Sequence, residues 1–158
     1  MAYLRGEEKK VAGCIFCINQ EADDAEAYIL HRGQTCYVIL NRYPYNNGHL
    51  MIIPYAHVPS LEDLDIDTMG EMMKLTRTSL RVLREAYNPQ GFNVGMNIGE
   101  AAGAGVTDHV HLHVVPRWGG DSNYITTIGW TRVIPEWLDR TYERLRPLFE
   151  RMHLEEQK

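Results

Sequence analysis

Apolar and polar residues alternate most strictly at His109-Val110-His111-Leu112-His113-Val114-Val115. Successive side chains of a strand point to opposite faces, so a half-buried strand is predicted, with three imidazoles on one face and Val110, Leu112 and Val114 on the other. Further strands are predicted over residues 28–31 and 35–40, a hairpin broken at Arg32-Gly33-Gln34, over 49–53, ended by Pro54, and over 92–98. The period then changes. Met69, Met72, Met73, Thr76, Leu80 and Leu83 fall on one helical stripe, Thr68-x-x-Glu71 offers a capping box and Asn88-Pro89 a stop, predicting a helix over 67–87. Ile134, Trp137, Leu138, Thr141, Leu145 and Leu148 mark a terminal helix with Pro135 in its first turn. The polar and aromatic stretch 119–131 shows no period. Strands interrupted by one long helix and closed by another imply an α+β fold with a mostly antiparallel sheet.

A chain of 158 residues is expected to form one domain over 1–158. No long apolar run suggests a membrane span, and residues 1–10 are too charged for a signal peptide, so a soluble, cytoplasmic protein is expected. A net charge of −5 without a basic cluster argues against nucleic-acid binding, yet leaves room for a compact site for one anion. Three cysteines make a poor disulfide framework. Cys14-x-x-Cys17 suits a metal or a redox pair, although the βαβ context of the latter is missing, and Cys36 reads as a buried thiol.

Three histidines on one face could bind a metal or carry out nucleophilic catalysis. At a rise of about 3.4 Å per residue, His109 and His113 lie roughly 13 Å apart, too far to share one ion. The second Asp-His pair of a binuclear metallohydrolase is also absent. Like-charge proximity lowers histidine pKa values, keeping an imidazole neutral and able to attack phosphorus while neighbouring donors stabilise the phosphoryl oxygens. The loop Gly99-Glu100-Ala101-Ala102-Gly103-Ala104-Gly105 could supply backbone donors. It precedes a strand rather than a helix, so it is neither a dinucleotide fingerprint nor a P-loop.

The histidine run with Pro116-Arg117-Trp118 resembles the signature of the histidine-triad family of nucleotidyl hydrolases and transferases. Asn41-Arg42-x-Pro44-x-x-x-Gly48-His49-x-Met51-Ile52-Ile53-Pro54 is similar to that family's upstream nucleoside-binding segment, and Asn97-x-Gly99 to the strand end before the triad. The resemblance implies a five-stranded antiparallel sheet with one long and one C-terminal helix, extended across a homodimer. It implies that His111 is the nucleophile, His113 the contact to the scissile phosphate and bridging oxygen, and His49 a supporting histidine. Asn41 resembles the ribose contact, while Asn97 and the amides of Gly103, Ala104, Gly105, Val106 and Thr107 resemble the phosphate cradle. Relatives often place a hydroxyl residue in that cradle, which here leaves Thr107 or the amides alone to take its part. Zinc-containing members imply structural zinc on Cys14, Cys17, His57 and His109, and a nucleotide substrate could bring magnesium.

Residues 116–124, with Trp118 either stacked on a base or anchoring the core, resemble a bacterial branch that includes diadenosine tetraphosphate phosphorylases. An adenine dinucleoside polyphosphate is therefore the expected substrate, resolved by water or phosphate. A phosphoramidate or acyl-adenylate hydrolase, or a nucleotide-binding regulator without catalysis, is the alternative.

Overall fold

A computed structural model of the chain describes residues 13–122 and 136–156. Five strands, β1 (Ile29–Arg32), β2 (Cys36–Leu40), β3 (Leu50–Pro54), β4 (Gly91–Met96) and β5 (Leu112–Arg117), form one sheet in the order β1-β2-β3-β5-β4. Every pairing is antiparallel. The helices are α1 (Ile15–Gln20), α2 (Asp24–Ala27), α3 (Ile66–Tyr87) and α4 (Leu138–Glu156). None of the described helices is long and apolar enough to cross a membrane.

Both faces of the central strands are covered, which is why β2 and β3 are apolar throughout and buried at every position. Val38, Leu40, Leu50, Ile52, Val110, Leu112 and Val114 pack against Met72, Leu75, Val82 and Leu83 of α3 and Leu145, Phe149 and Met152 of α4. On the other face Phe16, Ala27, Ile29, Tyr37, Ile39, Met51 and Ile53 form a smaller cluster. The histidines belong to this second side. At the far edge β4 is largely open, with Val94 45 % exposed. Gly48, just before β3, has φ +73°, and a Cβ there would lie 2.9 Å from Leu83 Cδ2, so the loop can pass close to α3 only without a side chain.

The sheet, hairpin and long helix agree with the sequence reading, and Cys36 is buried. Four details differ. First, β5 begins at Leu112, so only His113 of the three histidines lies on it. Leu112 is the first β5 residue with partners, Ile52 and Met96, and ahead of it the chain is off the ladder, with Val110 N–H bonded to Val58 O at 2.8 Å. Second, Asp65, not Thr68, caps α3, accepting from Thr68 N and Oγ1 at 2.7 and 2.9 Å. Glu71 instead turns to the β1–β2 connection, where it accepts from the amides of Gln34, Thr35 and Cys36 and from the Thr35 hydroxyl. Third, Met73 is 52 % exposed, and Leu75, Ser79 and Val82 complete the buried stripe. The Ser79 and Thr76 hydroxyls can be buried there because they donate to the Leu75 and Met72 carbonyls at 2.7 Å.

The fourth difference concerns chain ends of elements. Trp137 is 83 % exposed ahead of α4, while Ile134 and Pro135 lie outside the described residues. Tyr28 is not on a strand but closes α2 in the left-handed region at φ 61°. Helices α1 and α2 carried no sequence signal, being too short to show a period.

Candidate active site

Cys14 precedes α1, Cys17 lies on it, His57 follows β3, and His109 precedes β5. One ligand atom from each of the four lies within 4.8 Å of the others. His109 Nδ1 is 3.3 Å from Cys14 Sγ, 3.6 Å from Cys17 Sγ and 3.3 Å from His57 Nδ1, and Cys17 Sγ is 3.3 Å from His57 Nδ1. His109 Nε2 lies 2.8 Å from the Pro54 carbonyl, which can only accept, so the proton sits on Nε2 and the Nδ1 lone pair faces the cluster. Burial, with His57 and His111 nearby, lowers the His109 pKa and keeps the ring in the neutral form that binds a metal. A tetrahedral ion with bonds of about 2.0–2.1 Å to nitrogen and 2.3 Å to sulfur spaces its ligands by roughly 3.3–3.8 Å. The four residues fit zinc. The segment that carries the two cysteines is held independently, since the Tyr37 hydroxyl donates to Phe16 O at 2.9 Å and Arg32 donates to Gln20 O and Ala22 O at 2.6 and 3.0 Å.

The other histidines are oriented by the same logic. His111 Nδ1–H donates to the His109 carbonyl at 2.9 Å, leaving Nε2 with its lone pair. The Phe16 ring packs on His111 at 4.8 Å between centroids. Burial lowers the His111 pKa, with the His109 carbonyl opposing. Next to it, Tyr45 N–H donates to His49 Nδ1 at 3.1 Å. His49 therefore carries its proton on Nε2, which donates to His113 Nδ1 at 2.9 Å, and His113 must carry its own on Nε2. Burial, with His111 adding, pushes the His113 pKa down to about 4. Two imidazoles with centroids 4.9 Å apart thus have opposite capacities, His111 Nε2 as nucleophile or acceptor and His113 Nε2–H as donor.

A cavity of about 300 Å³ opens beside His113 and runs along β5 toward Arg117, with Tyr45, Asn46, Asn93 and Asn97 in its wall. Asn97 thus joins His113 in one site. Asn41 does not line this cavity; its Oδ1 accepts from Tyr43 N–H at 2.9 Å. The glycine loop is also outside the lining, although Asn97 Nδ2 reaches Gly103 O at 3.5 Å. Within that loop the Gly103 and Ala104 amides bond to Glu100 O and Gly99 O, Val106 packs on the second core cluster, and the Thr107 hydroxyl donates to Asp108 at 3.1 Å. Gly105 is exposed, and half-buried Trp118 stands off the cavity.

Sequence reasoning missed Tyr45, Asn46, Asn93, Arg117 and Asp121. One signal was available, because alternation continues past His113 through Val115 to Arg117, placing that guanidinium on the histidine face. Arg117 Nε and Nη2 each donate to Asp121 at 2.6 Å and Nη1 to Asn93 Oδ1 at 2.5 Å. The Arg117 pair holds the Asp121 carboxyl well below the usual carboxylate range.

An open antiparallel sheet backed by two long helices, with paired neutral imidazoles at the head of an inner strand and a Cys₂His₂ set behind them, defines a histidine-triad protein of the α+β class. The chain belongs to the HIT domain family, whose model matches residues 22–120. It is 48 % identical over 121 residues to the protein named AP-4-A phosphorylase of Mycobacterium tuberculosis, a match covering 77 % of this chain and 62 % of that one. It therefore spans about three fifths of that relative's length. A match at 29 % identity over 93 residues, 59 % of this chain and 50 % of the other, is to the asymmetrical bis(5'-nucleosyl)-tetraphosphatase of Schizosaccharomyces pombe. Among solved structures, a zinc-bound histidine triad family protein from Mycobacterium smegmatis superposes with a TM-score of 0.71 at 28 % identity, covering 90 % of this chain and 96 % of that one.

Proposed function

We propose that the protein is a nucleotidyl hydrolase or transferase that cleaves dinucleoside polyphosphates of the diadenosine tetraphosphate type through a nucleotidyl-histidine intermediate. The observation that carries this reading is the His111 Nδ1–H bond to the His109 carbonyl, which leaves Nε2 as a neutral nucleophile beside a neutral N–H donor. The Nε2 lone pair attacks the α-phosphorus, a P–N bond forms, and the bond to the bridging oxygen breaks with its electron pair leaving on that oxygen. His113 Nε2–H would hydrogen-bond the departing oxygen, and the His109 carbonyl would meet the positive charge that develops on the His111 ring. Water or inorganic phosphate then attacks phosphorus, the P–N bond breaks, and its electron pair returns to His111 Nε2.

Asn97, beside His113 in the cavity wall, is suited to a phosphoryl oxygen. The names of the relatives support the substrate class. Zinc on Cys14, Cys17, His57 and His109 would serve structure, because four protein ligands leave no open coordination position. The open edge at β4 supports a homodimer in which the sheet continues across the interface.

Turnover of diadenosine tetraphosphate with and without inorganic phosphate tests the reaction. ADP plus ATP dependent on phosphate means phosphorolysis, and AMP plus ATP means hydrolysis. His111→Ala is expected to lose at least about 10³-fold in turnover while still binding nucleotide. Unchanged turnover in that variant would remove His111 as nucleophile.

A further inference from the structure

We propose that Asp121 is a positioning residue for His113, acting through Asn46 and the Tyr45 amide to fix which ring nitrogen of His113 carries the proton. Asp121 pairs with Arg117 four residues away, and exposed pairs at that spacing ordinarily contribute little. Here the carboxylate is only 12 % exposed and serves several donors at once. Besides Arg117 Nε and Nη2, its oxygens accept from Trp118 N–H at 3.1 Å and from Asn46 Nδ2 at 2.8 Å, with the Ser122 hydroxyl at 3.4 Å. The Asn46 contact reaches across the fold to the loop before β3.

Asn46 Nδ2 also donates to Pro116 O at 3.0 Å, so both hydrogens of its amide are engaged at the end of β5. Its own backbone carbonyl accepts from His49 N–H at 3.2 Å. The loop is thus tied to β5 through one residue and folded back on His49 through the same residue. The neighbouring Tyr45 N–H is the group that occupies His49 Nδ1. A displaced Asn46 carries the adjacent Tyr45 backbone with it and withdraws the Tyr45 N–H from His49 Nδ1, the bond that directs the His49 proton onto Nε2. The His49–His113 bond could then reverse, with His113 Nδ1–H donating to His49 Nε2 and a bare lone pair on His113 Nε2. Such a ring could not donate to a departing oxygen. The catalytic consequence rests on the function proposed above, whereas the tautomer does not.

The test is long-range ¹H–¹⁵N NMR of the ¹⁵N-labelled full chain at neutral pH, with turnover of diadenosine tetraphosphate measured on the same samples. In the wild type His113 should show an unprotonated Nδ1 and a protonated Nε2. Asp121→Ala should replace this single pattern at His49 and His113 by a mixture and lower kcat roughly tenfold or more. Asp121→Asn keeps an oxygen for Asn46 and should restore the pattern and most of the rate. If Asp121→Ala does not fold, Asn46→Ala provides the same comparison. A wild-type pattern in the folded alanine variant, or Nδ1 protonation of His113 in the wild type, overturns the proposal. A changed pattern with unchanged kcat upholds the positioning role and instead removes His113 from the reaction.

Discussion

Replacing His113 by Gln should flatten the acid dependence of stability. A glutamine oxygen can accept the His49 Nε2–H and its amide can donate outward, so the substitution reproduces the pattern of the neutral ring but cannot titrate. In the folded chain the His113 pKa is pushed down to about 4, from 6.5, by burial and by His111. Protons then bind the unfolded chain in preference to the folded one, so stability rises with pH across this interval. The contribution is fully present above pH 6.5 and is withdrawn as the pH falls from 6.5 to about 4. A gap of that size corresponds to about 3 kcal/mol, and solvent reaching the half-buried ring brings it nearer 2. Urea unfolding of both proteins at fixed ionic strength, from pH 7 to pH 4, supplies the comparison. Groups that titrate equally in both proteins, the zinc ligands among them, cancel in the difference. The wild type should lose about 2–3 kcal/mol more than His113→Gln. Parallel curves would refute the claim that the fold holds this ring neutral.

Two further perturbations have definite outcomes. Purified without chelators, the wild type should contain zinc by elemental mass spectrometry. Cys17→Ser should lose both the metal and several kcal/mol of stability, because structural zinc contributes roughly 10 kcal/mol or more to small sites; equal metal content in the two proteins would count against the site. Glu71→Gln leaves one acceptor oxygen for three amides and a hydroxyl, and should destabilise the protein by about 2–4 kcal/mol in urea, a loss below about 1 kcal/mol refuting that assignment.

Features that span many residues were legible in the sequence. The apolar runs of β2 and β3 and, Met73 apart, the stripe of α3 are followed by burial, whereas the histidine alternation sets two faces that are both covered, His109 and His111 being buried where a half-buried strand was predicted. Errors fell where a single contact overrides the pattern. Thr68 and Glu71 have the spacing of a capping box, but Asp65 is one turn nearer the helix start, and the three amides of the β1–β2 turn capture Glu71. Trp137 matches the stripe of α4 yet lies ahead of the helix, where the period no longer sets its direction. The cavity wall was harder still. Asn46, Asn93 and Asp121 come from three separate segments, and nothing local in a sequence shows that a loop amide will meet a carboxylate 75 residues later.

The bonds that set the two reactive rings have one unusual property. The group that fixes His111 is the carbonyl of His109, and the group that fixes His49, and through it His113, is the amide of Tyr45. Both belong to the main chain, so no exchange of side chain at either position deletes them, short of proline at 45, which would take away the amide hydrogen. The chemistry is therefore inherited with the backbone trace. Side chains around the nucleotide other than Asp121 and Asn46, which hold the Tyr45 amide in place, can change what is bound while the protonation that makes bond cleavage possible stays with the main chain.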